Sequence, residues 1–177
     1  MNMRTRFSLV GAAVFACAAL ATAASAHLMI AQRGTLKFGR GGAFFVVSVP
    51  VSAFSGVDDD GDGLLRVKEL SAHGPAIEAA VRDGFVLESE GEGQTRIDGL
   101  LLNLAHSHGD PNKPADQVVA MGRFSVTEGD EALTLMTTLF GEAPSEHRLE
   151  LAITRGESKE AAILTPDMPL HRLFERK

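Results

Sequence analysis

Tryptophan and tyrosine are missing from this 177-residue chain, and cysteine occurs once. Without Trp or Tyr there is no ready platform on which sugar rings or nucleobases stack, and one Cys forms neither an internal disulfide nor a multi-cysteine zinc site. Cationic charge is also in short supply: 17 Lys and Arg face 23 Asp and Glu, a formal charge of −6. Phosphate backbones are bound by basic faces that release counterions, and the chain has no clustered Lys/Arg stripe. This excludes nucleic acid as the main partner. The signatures of hydrolases and nucleotide enzymes are missing too, with no G-x-S-x-G, H-E-x-x-H, Walker A or strand-to-helix G-x-G-x-x-G. The residues point to a binding protein, not an enzyme.

Residues 1–26 have the form of a secretory signal peptide. Arg4 and Arg6 open it, an apolar run covers residues 7–24, and Ala24-Ser25-Ala26 supplies the small-x-small site that signal peptidase needs. Cleavage there removes two arginines and no acid. It leaves 151 residues with 15 basic and 23 acidic groups, a charge of −8 and no cysteine. No later stretch reaches the 18 consecutive apolar residues of a membrane span. The expected location is periplasmic or secreted, with residues 27–177 forming a single β-rich domain.

Period-two and β-branched runs dominate that domain. Residues 27–38 and 43–51, separated by Gly39-Arg40-Gly41-Gly42, read as a hairpin. Further strands are expected over 85–88, 95–105, 117–126, 132–140, 147–155 and 160–164, punctuated by Gly- and Asp-rich turns. Between them, residues 67–72 and 76–82 favour helix, with Gly74-Pro75 as a break and Gly84 as a stop. The tail after residue 164 is expected to pack loosely over a sheet edge. The fold class is therefore mainly β, an antiparallel sandwich-like arrangement with a short α-helical insertion at about 50–84.

The most specific chemistry lies in that insertion. Asp58-Asp59-Asp60-Gly61-Asp62-Gly63-Leu64-Leu65-Arg66-Val67-Lys68-Glu69 places carboxylates at the first, third, fifth and twelfth positions and glycine at the sixth. Calcium takes six to eight oxygens at about 2.3–2.6 Å, and carboxylates on alternate residues of a tight loop can converge on one centre. The loop resembles the EF-hand calcium-binding loop over these 12 residues. The resemblance implies Ca2+ held by Asp58, Asp60 and Asp62, the Leu64 carbonyl and both oxygens of Glu69, with Gly63 supplying the sharp turn and Leu65 anchoring the loop on the core. Arg66 stands at the ninth position and has no acceptor, so that position is expected to be left to water. One loop without a second, and without a full entering helix, implies an affinity in the ~10⁻⁴–10⁻³ M extracellular regime. An ion that binds only the folded state at a hundredfold excess over Kd stabilises it by about 2.7 kcal/mol. Calcium is thus expected to act structurally, or to stabilise the surface for an unidentified protein partner.

A second reading concerns copper. Cleavage after Ala26 makes His27 the N-terminal residue, joining an α-amine to an imidazole, and His106-Ser107-His108 adds two more imidazoles. This resembles the histidine-brace copper proteins, both CopC-type β-sandwich carriers and lytic polysaccharide monooxygenases. It would make the chain a periplasmic copper-binding protein using His27 with His106 or His108.

Overall fold

In the computed structural model, residues 32–91, 93–105, 113–126 and 132–175 are described. A six-stranded sheet has the order β5-β6-β2-β1-β8-β9. Its members are β1 (Gln32–Gly39), β2 (Gly42–Pro50), β5 (Ile97–Ala105), β6 (Gln117–Phe124), β8 (Leu149–Arg155) and β9 (Ser158–Leu164). A four-stranded sheet packs against it in the order β10-β7-β3-β4, built from β3 (Phe85–Ser89), β4 (Gly93–Gln94), β7 (Leu133–Thr137) and β10 (Leu170–Leu173). The expected mainly β, sandwich-like class with a helical insertion is what the chain adopts. Among the described residues all strand pairings are antiparallel except one: β1 runs parallel to β8, with Leu36 opposite Ile153.

Alternation builds the core. Ala43, Phe45, Val47 and Val49 of β2 are buried on the inward face, while Phe44 and Val46, alternating with them, are exposed. Phe45 meets Phe124 of the same sheet at 5.0 Å between ring centroids and Phe85 of the other sheet at 5.1 Å. Gly122 lies opposite Phe45 in the register, and a Cβ there would come within 2.8 Å of its ring. The glycine makes room for the aromatic that joins the layers.

Two expectations need correction. The Gly74-Pro75 pair does not split the insertion into two helices, because a single α-helix, α1 (Val67–Gly84), runs through it. Proline removes one backbone donor, but Ile77 and Val81 beyond it are fully buried, and their burial outweighs that one lost bond. The tail is not loose either. β10 pairs with β7 from Leu170 opposite Met136 to Leu173 opposite Leu133, burying Leu173.

These pairings give the sandwich two distinct ends. The β1–β2 and β8–β9 hairpins share one, and the acidic segment follows β2 at the other. There it is tied down by a two-hydrogen-bond bridge between Leu65 and Ala115, with N···O distances of 2.7 and 2.9 Å.

Candidate metal centre

Left-handed turns shape the loop. Gly61 and Gly63 adopt φ of +73° and +77°, a region that a Cβ opposes. Their amides donate to Asp58, Gly61 to Oδ1 at 2.8 Å and Gly63 to Oδ2 at 2.7 Å. Asp60 Oδ1 accepts the Asp62 amide at 3.3 Å, and Asp62 Oδ1 accepts the Leu64 amide at 2.9 Å. Each aspartate thereby orders the residues just after it. Leu65 is fully buried, in keeping with its expected role as the anchor.

Glu69 closes the loop from the first turn of α1. It is 6 % exposed, and its two oxygens accept the Asp59 amide at 3.1 Å and the Arg66 amide at 2.8 Å. A buried carboxylate held by two backbone donors tethers the first residues of the loop to the helix start. Ligand oxygens of Asp58, Asp60 and Glu69 lie within 4.8 Å of one another. Oxygens on opposite sides of a calcium ion are about 4.6–5.2 Å apart, so this spacing fits a single ion.

Arg66 departs from expectation. Its guanidinium turns into the loop, meeting Asp62 Oδ2 at 2.6 Å, Asp60 Oδ2 at 3.1 Å and Glu69 Oε2 at 3.8 Å. From the ninth position a cation of the chain itself thus enters the loop. Asp62 is engaged by this guanidinium and is not one of the three carboxylates whose oxygens converge within 4.8 Å, and Leu64 lies between Asp62 and the Leu65–Ala115 bridge.

Titration follows these contacts. The Gly63 amide, seconded by that of Gly61, holds the Asp58 carboxyl below its ordinary value. The Arg66 hydrogen bond does the same for Asp62, and Asp62 in return raises Arg66. Asp60 moves the other way: loss of hydration in the loop raises it, against the Asp62 amide and Arg66.

His73 of α1 contacts the loop, with Nε2 at 2.8 Å from Asp59 Oδ1. It lies four residues after Glu69, on the same helix face. His27, His106 and His108 lie outside the described residues, as does the segment read as a signal peptide. A cavity of about 1100 Å³ opens at the hairpin end, remote from the acidic loop, lined in part by Glu88, Arg155, Arg172 and Phe174. Searched against models of known protein families and against curated proteins, the chain matches none.

Proposed function

We propose that the chain is an exported calcium-binding protein that acts by binding, not catalysis. The convergence of Asp58, Asp60 and Glu69 oxygens within 4.8 Å, on a loop of EF-hand spacing, carries this reading. Asp58, Asp60 and Glu69 would hold the ion, joined by Asp62 and the Leu64 carbonyl once Arg66 yields. Arg66 supports a low affinity, because a divalent ion must displace a positive charge already paired with three of the loop's carboxylates. Bound calcium would stiffen the link from β2 through the loop to α1, and with it the end of the sandwich where Ala115 is bridged. Any protein partner would then meet a fixed surface.

The test is calorimetric titration of metal-free protein with Ca2+, Mg2+ and Cu2+, repeated on Asp58→Ala. Heat with calcium that disappears in the variant supports the proposal. No calcium heat, or equal heat in both proteins, overturns it and leaves the loop as a connector neutralised by Arg66 alone.

A further inference from the structure

The outer face of the six-stranded sheet has a pattern that the acidic loop does not explain. Following the register across all six strands gives the row Leu101, Met121, Val46, Thr35, Ala152, Ala161. None of these residues is charged. Leu101 is 63 % exposed and Val46 42 %. At about 4.8 Å per strand, the row is about 24 Å long. Ile163, 47 % exposed, stands beside its β9 end, in register with Glu150.

The next row toward the hairpins reads Asp98, Arg123, Phe44, Lys37, Thr154, Lys159. Arg123 is paired with Asp98 at 3.1 Å, and Phe44 is 49 % exposed. Lys37 and Lys159 make no ion pair among the described residues. They stand two strands apart, about 10 Å, on flexible stems. On the opposite flank, Glu150 is neutralised by Arg33 at 3.8 Å and Arg148 at 2.8 Å. The face as a whole is net positive on an acidic chain.

We propose that this face docks onto an anionic lipid surface, with the uncharged row and Phe44 against the acyl boundary and Lys37 and Lys159 on the headgroups. The match is one of charge and shape: a broad sheet face meets a broad negative plane. Two features favour lipid over a protein partner. Protein interfaces are enriched in aromatic residues, Met and Arg and depleted in Lys and Ala; Phe44 and Met121 suit either surface, but the unpaired charges here are lysines and the row ends in two alanines. Lysine is also a hydrated point charge that tolerates variable headgroup geometry, while the arginines of this face are already committed to carboxylates. The acidic loop does not veto the contact. It follows the far end of β2, where Pro50 stands six strand residues and about 20 Å from Phe44, beyond the ~8 Å Debye length at physiological salt.

Flotation of the full chain with vesicles of pure phosphatidylcholine, and with vesicles containing 30 mol % phosphatidylglycerol, tests this. The expected result is stronger partition onto the anionic vesicles. Lys37→Glu with Lys159→Glu should lose it by roughly tenfold or more, and Val46→Ser with Leu101→Ser should weaken it. A charge-matched control off this face, Lys68→Glu with Arg172→Glu, should retain it. Circular dichroism melts confirm that each variant folds. Equal partition of wild type and the Lys37/Lys159 variant, an equal loss in the control, or no preference for anionic vesicles overturns the proposal.

Discussion

At Arg66 a single side chain sets the character of the acidic loop. Asp58, Asp60, Asp62 and Glu69 would repel one another at close quarters, and a guanidinium among three of them relieves that repulsion. The same guanidinium opposes a second cation. Arg66→Asn removes the positive charge and supplies an acceptor oxygen at the ninth position. Calcium affinity by calorimetry should rise roughly tenfold, as expected when a unit charge a few ångströms from a divalent ion is removed in a largely hydrated loop. In EDTA the same variant should melt below wild type, because its loop carboxylates lose their counter-charge. A variant with unchanged calcium affinity would show that the guanidinium and the ion do not compete. The carboxylate spacing was legible because loop ligands are local in sequence. The direction of the arginine was not, because a charge at an exposed position can point to solvent as readily as inward.

Among the elements, the start of β5 and the end of β6 are joined through Asp98. It accepts from Ser125 Oγ at 2.5 Å and from Arg123 at 3.1 Å, and it pairs with Arg96 at 2.9 Å. The Ser125 and Arg123 hydrogen bonds hold its carboxyl below the ordinary 3.8. A carboxyl depressed in the folded state contributes stability above its unfolded pKa and loses it as pH falls through the folded value. Asp98→Asn should therefore be less stable than wild type at pH 7, and the gap should close below about pH 4. Urea melts across that range measure it, and a gap independent of pH would show that the ionised form contributes nothing. Strands β1, β2 and β6 were readable from β-branched and aromatic-rich runs bounded by turn residues, with ends shifted by one or two residues within the described part of the chain. The unbroken helix was not: Gly74-Pro75 is a local stop, and only the packing of Ile77 and Val81 overrides it. β10 was equally hidden, because its four residues acquire strand character only by pairing with β7, more than 30 positions away.

For the whole molecule, the join between layers rests on Phe45, Phe85 and Phe124, whose ring centroids lie 5.0–5.7 Å apart. Phe45→Ala would empty the space above Gly122 and should destabilise the protein by about 3–5 kcal/mol in a urea melt. A loss under 1 kcal/mol would mean that the sheets close over the gap. Local causes in the sequence determined the composition-level exclusions, the alternating strands, the hairpin turns and the carboxylate ladder from Asp58 to Glu69. Each depends on residues within a dozen positions of one another, where backbone periodicity and side-chain reach operate directly. Tertiary structure alone decided the parallel pairing of β1 with β8, the capture of Leu65 by Ala115, the inward turn of Arg66 and the uncharged row across six strands. Those features join residues far apart in the chain, or choose among side-chain directions that local sequence leaves equal, and burial and charge pairing in the folded state make the choice.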